Sequence, residues 1–122
     1  MTQNKPQPGS AGWIDLTVPD APRLRDFYAA VVGWKPAEIS MGDYADYVMN
    51  DATGEGRAGV CHKRGVNASQ PSVWMVYFIV ADLDASVTRC QELGGKILVD
   101  RRKDRFVAIE DPAGAVCGLY QA

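Results

Sequence analysis

Residues 13–34, WIDLTVPDAPRLRDFYAAVVGW, read as a strand, a capped turn, a helix and a glycine stop. Ile14, Leu16 and Val18 alternate with Trp13, Asp15 and Thr17, which gives a strand with one apolar and one mixed face. Asp20 is placed to accept bonds from the free amides of the helix's first turn. Pro22 falls in that first turn, where its missing N–H costs little. Leu24, Phe27, Tyr28 and Val31 follow at helical spacing and predict one buried stripe. Gly33 ends the helix, because it takes a left-handed conformation without a Cβ penalty.

The same pattern returns over residues 74–95, WMVYFIVADLDASVTRCQELGG. A shift of 62 residues carries Val18-Pro19-Asp20 onto Val80-Ala81-Asp82, Val31 onto Leu93 and Gly33 onto Gly95. An internal duplication organises the chain, and repeats of this kind decide a fold before any single element does. Trp74 to Val80 is almost wholly apolar and predicts a strand buried on both faces. Asp82 or Asp84 caps the helix after it, and Leu83, Val87 and Cys90 form part of its inner stripe.

Between and after the copies lie shorter elements. Strands are predicted from Tyr44 to Met49 and from Arg57 to Lys63, around the turn-rich residues 50–56 (NDATGEG), with room for a further strand between Trp34 and Tyr44. Lys96 to Val99 is a short strand and residues 100–104 a charged loop. Phe106 to Glu110 and Ala115 to Tyr120 are strands joined by the turn Asp111-Pro112-Ala113-Gly114. The expected division is a loose tail over 1–12, one module over 13–63, a linker over 64–72 and a second module over 73–121, all in one domain.

Composition narrows the function. The chain has 122 residues, 47% of them hydrophobic, which suits a folded core. Thirteen basic and 15 acidic side chains are intermixed for a net charge of -2, so neither nucleic acid nor an anionic membrane is an expected partner. Three cysteines without a CxxC pair argue against a disulfide framework or a zinc knuckle and predict reduced thiols in the cytoplasm. The polar residues 1–12 lack the apolar core of a signal peptide, and no apolar run is long enough to span a bilayer. There is no G-x-G-x-x-G, P-loop or nucleophile elbow.

Val18-Pro19-Asp20 followed by Phe27-Tyr28 and Val32-Gly33-Trp34, then Val80-Ala81-Asp82 with Leu93-Gly94-Gly95, then Asp111-Pro112-Ala113-Gly114, occur in an order and spacing with a known parallel. The chain resembles the vicinal oxygen chelate superfamily, the group of glyoxalase I, bleomycin-resistance proteins and extradiol dioxygenases. The resemblance implies an α+β fold of two tandem βαβββ modules whose mixed sheet curls around a cleft, and a homodimer. It also implies four metal-ligand positions on inward strand faces. Here they fall on Trp13, Met75, Gly118 and one of Gly59, Cys61 or His62. Indole has no free lone pair, a thioether is soft and glycine has no side chain, so three of the four positions do not suit a hard or borderline cation. His62 is the one histidine, so a two-histidine triad cannot be built from one chain. No metal and no other cofactor is therefore expected.

Strand periodicity puts Trp13, Asp15 and Thr17 on one inward face, Met75, Tyr77 and Ile79 on its match, and Val116, Gly118 and Tyr120 on the closing strand. The expected ligand-binding set is Trp13, Asp15, Tyr47, His62, Met75, Tyr77 and Tyr120. An aromatic lining with few polar groups suits a small apolar or aromatic ligand; the bland reading is that the rings fill the core. Asp15 as a general base and His62 as a proton shuttle are the two catalytic candidates. Three functions follow: a metal-independent small-molecule binder, a glyoxalase-related lyase, isomerase or dioxygenase in which either Asp15 and His62 converge or a partner chain supplies ligands, and a structural or regulatory dimer with a filled cleft.

Overall fold

The computed structural model describes residues 6–122. Its elements run β1 (Ala11–Val18), α1 (Ala21–Val32), β2 (Lys35–Ser40), β3 (Ala45–Asn50), β4 (Gly56–His62), β5 (Trp74–Ile79), α2 (Leu83–Glu92), β6 (Lys96–Arg101), β7 (Phe106–Glu110) and β8 (Val116–Tyr120). The chain divides into two units, Ile14–Trp74, and Met75–Ala122 together with the residues leading up to Trp13.

The duplication read from the sequence is a duplication of topology. In the Ile14–Trp74 unit β1 pairs parallel with β4, β4 antiparallel with β3, and β3 antiparallel with β2. In the Met75–Ala122 unit β5 pairs parallel with β8, β8 antiparallel with β7, and β7 antiparallel with β6. Each unit is a βαβββ module, and the fold class is α+β. The strand for which the sequence leaves room is β2, an edge strand whose six residues are all exposed. Pro36 and Lys35 at its start keep such an edge from recruiting another strand.

Each helix covers one face of its own sheet. Under α1 lie Leu16, Val18, Tyr47, Met49, Ala58 and Val60, all 9% exposed or less. Burying each large apolar side chain contributes about 1.5–3 kcal/mol, so this layer is a main stabiliser of the module. Under α2 lie Val107, Ile109 and Leu119, packed on Leu83 and Val87. The stripe of α1 differs from its prediction. Ala21, Leu24, Tyr28 and Ala29 face the sheet, whereas Phe27 is 51% and Val31 64% exposed. Tyr28 fixes this rotation, because its hydroxyl oxygen accepts the indole N–H of Trp74 at 3.1 Å and its ring packs against those of Trp34 and Trp74. β5 also departs from expectation: Phe78 is 40% exposed, so the strand is not buried on both faces.

The predicted caps are in place. Asp20 accepts from the Arg23 amide at 3.3 Å, and Gly33, at φ +87°, donates its N–H to Ala29. For α2 the cap is Asp82, which accepts from the Ala85 amide at 3.1 Å; Asp84 bonds Arg102 instead. The expected loose tail falls partly outside the described residues, at 1–5, but its end is fixed. Gly9 N–H donates to the Ile79 carbonyl at 2.8 Å, and Ile79 N–H to that of Ser10 at 2.9 Å. Among the described residues no helix is long and apolar enough to cross a membrane.

Candidate functional site

In the Ile14–Trp74 unit, strand register sorts the candidate residues onto two faces. β1 and β4 align Asp15 with Gly59 and Thr17 with Cys61, on the face turned away from α1. Tyr47 aligns with Val60 and packs in the core under α1, where the Arg25 guanidinium lies 4.8 Å from its ring centroid. Tyr47 therefore does not share a face with Asp15. Nor does His62. It aligns with Val18, an odd number of residues along the strand from the Asp15 partner Gly59, and alternate strand residues point to opposite faces. Strand alternation thus starts the Asp15 and His62 side chains on opposite faces of these strands.

The carboxylate that meets His62 is Asp46, which sequence reasoning missed. Asp46 is 6% exposed. Its Oδ1 accepts the His62 backbone N–H at 2.8 Å and lies 3.3 Å from His62 Nδ1. With Nδ1 protonated, the ring is oriented by Asp46 and its Nε2 is left as the acceptor. Tyr44 packs edge-on to the imidazole at 5.3 Å. Burial, then the charges of Asp15 and Asp46, push the Cys61 thiol far above its ordinary range. Such a thiol stays protonated at neutral pH, and it sits on the polar face beside two carboxylates rather than among Leu16 and Val60.

The Met75–Ala122 unit presents a different face. Its side away from α2 carries Met75, Tyr77, Val99, Phe106, Ala108 and Val116 as one apolar cluster. Tyr77 aligns with Gly118, and Ile79 with Tyr120, so the expected shared face is formed. Met75 is 2% exposed and is floor, Tyr77 is half-buried, and Tyr120 is 37% exposed. Trp13 is 36% exposed, next to Gly12, whose bare Cα lies close to the Ile79 side chain. A Cβ at Gly118 would come 2.5 Å from Tyr77 Cδ1 and 3.0 Å from Phe106 Cε1. The ring of Tyr77, 5.2 Å from that of Phe106, occupies the space into which a side chain at position 118 would project.

These placements test whether the residues fit a metal, and they do not. Position 118 is covered by a phenol ring and Met75 is sealed in an apolar cluster. His62 alone offers a nitrogen. Among the described residues no group of three or more His, Cys, Asp or Glu side chains is arranged to hold an ion. A separate open depression of about 470 Å³ lies at the β2–β3 turn, lined by Glu38, Ser40, Gly42, Asp43, Tyr44 and Ala45. Arg64 stacks on Tyr44 at 4.0 Å and bonds Asp43 at 3.4 Å beside it.

The chain is similar to known proteins. Residues 13–119 match the family model described as a glyoxalase-like domain. The anthracycline biosynthesis protein DnrV of Streptomyces peucetius is 34% identical over 111 residues, covering 88% of this chain and 40% of DnrV. "Putative glyoxylase CFP32" of Mycobacterium tuberculosis is 30% identical over 120 residues, covering 93% of this chain and 46% of CFP32. The chain thus spans less than half the length of these curated relatives. A methylmalonyl-CoA epimerase of Streptomyces coelicolor, solved with 2-nitronate-propionyl-CoA, superposes with a TM-score of 0.55 at 16% identity, covering 95% of this chain and 99% of that one. A structure titled NAD-dependent benzaldehyde dehydrogenase from Legionella pneumophila superposes at 0.58 with 15% identity, covering 89% and 96%. At such identities the likeness is one of fold, since one fold hosts many activities.

Proposed function

Because the chain belongs to the glyoxalase-like domain family, we propose that it is a metal-independent small-molecule-binding domain that takes an apolar or aromatic ligand. The observation that carries this reading is the ring of Tyr77 lying over Gly118, where the resemblance puts a metal-holding side chain. An ion-holding wall has become an aromatic one, and a wall of that kind binds by apolar contact and stacking. The solved epimerase with a bound CoA ester supports a small molecule as partner. The names of DnrV and CFP32 support a role in small-molecule metabolism. In this reading the protein works in the cytoplasm as a homodimer, without nucleic acid or membrane partners.

A library of neutral aromatic and aliphatic compounds, scored by protection of the protein against heat, tests the proposal. Stabilisation by aromatic members in the presence of a chelator is the expected result. Stabilisation that appears only when a divalent cation is added back would overturn it.

The contact between His62 and Asp46 favours a second reading, a glyoxalase-related lyase or isomerase in which His62 moves a proton. It predicts turnover that His62→Gln abolishes while ligand binding persists.

A further inference from the structure

We infer that Tyr77 sets the ligand preference of the apolar face in the Met75–Ala122 unit, selecting a planar aromatic ring over a saturated one, and that Gly118 is the residue that makes this possible. The inference rests on the binding function proposed above and assigns the residue and the chemical class.

Position 118 lies on β8, flanked by β5 on one side and β7 on the other. A strand paired on both edges cannot retreat to admit a side chain. Any Cβ there would stand 2.5 Å from Cδ1 and 2.8 Å from Cε1 of Tyr77, with Phe106 Cε1 at 3.0 Å. Only glycine leaves the gap that the Tyr77 ring fills. The ring is held between bare backbone and Phe106, whose plane is tilted 55° from its own. Beneath it Met75, Phe106 and Ala108 are 7% exposed or less, so its support is dry and close-packed. Tyr77 itself is only half-buried. An aromatic side chain held in one orientation binds without the ordering cost that a free side chain incurs. A flat ligand ring keeps van der Waals contact across the phenol in an offset stack. A puckered ring of the same size touches it at few atoms, and the aromatic pairing adds a discrimination of roughly three- to tenfold.

The test uses 2-naphthol and its saturated counterpart 2-decalol, titrated into the full chain by calorimetry. The wild type is expected to prefer 2-naphthol by about three- to tenfold. Tyr77→Leu should bring the ratio close to one, and Tyr77→Phe should retain it. Gly118→Ala, which displaces the ring but keeps the tyrosine, should lower the ratio as Tyr77→Leu does; it also serves if the leucine variant does not fold. An unchanged ratio in both Tyr77→Leu and Gly118→Ala overturns the inference and leaves the binding function standing. Failure of the wild type to bind either probe overturns both.

Discussion

Asp46 shows how much a single buried carboxylate can organise. It accepts the His62 amide where the β3–β4 pairing ends, it orients the imidazole, and its charge helps to keep the Cys61 thiol protonated. Losing it leaves a buried amide without an acceptor, which costs about 1–3 kcal/mol. Asp46→Ala is therefore expected to lower the free energy of unfolding by about that amount in urea titrations, whereas Asp46→Asn, which keeps an acceptor oxygen, should cost less. Cys61 gives a pH prediction of definite sign. Its folded pKa is raised, so the stability it contributes is complete below the ordinary thiol pKa, about 8.5, and is lost as pH rises toward the folded value. Cys61→Ala should flatten the alkaline loss of Tm seen in the wild type, and the native Cys61 should react with Ellman's reagent far more slowly than the unfolded chain. An equal alkaline slope in the variant would contradict the assignment. The sequence named Asp15 and His62 but not Asp46. Alternation along a strand tells which residues share a face, yet which carboxylate reaches around a strand end depends on the register of β3 against β4, and that is set by packing.

Helix and turn chemistry was the most legible level. Asp20, Gly33, the Gly94-Gly95 stop and the Asp111 turn could be read directly, because caps and turns are fixed by residues a few positions apart; after α2 it is Gly94, at φ +93°, that takes the left-handed conformation. The rotation of α1 was not legible: Phe27 and Tyr28 are both aromatic neighbours in the sequence, and only the distant Trp74 decides that Tyr28 turns inward. A second repeat was also missed. Asp51 Oδ1 accepts from the amides of Thr53 and Glu55, as Asp111 Oδ1 does from those of Ala113 and Ala115. Gly54 and Gly114 close the two turns at φ +88° and +91°. The shared signal is Asp-x-x-Gly in both, hidden because Thr53 and Pro112 make the two turns look unlike. Gly114→Ala should cost about 1 kcal/mol through backbone strain, and Asp111→Ala about 0.5–2 kcal/mol through two freed amides, both read as shifts in the urea midpoint. A neutral Gly114→Ala would show that this turn is not held as described.

At the scale of the whole molecule, the sequence carried the two-module fold because a duplicated topology repeats its hydrophobic periods and its caps. It carried the ligand far less, since a site depends on which side chains register brings onto one face. Tyr77, Phe106 and Gly118 meet through three strands, whereas Asp15, Tyr47 and His62 are dispersed over the two faces of the strands of the Ile14–Trp74 unit. Charge across the molecule predicts its acid behaviour. Thr53 and Arg57 hold Asp51 below the usual carboxylate range, and Arg25 and Arg102 do the same for Asp26 and Asp100. With folded values depressed, their stabilisation is present above the unfolded carboxylate pKa, about 3.9, and is lost as pH falls through the folded values. Asp26 and Asp100 are exposed and Asp51 is partly exposed, so salt should weaken the effect. Tm is expected to be level between neutral pH and about 5 and to fall below about 4, less steeply in Asp51→Asn. If an aromatic wall stands in place of an ion-holding one, metal analysis of the purified, ligand-competent protein gives a definite answer. Binding of an aromatic compound by protein that contains well under one equivalent of any transition metal per chain is the predicted result. A stoichiometric divalent ion, whose removal abolishes binding and whose return restores it, would show that the wall still holds an ion.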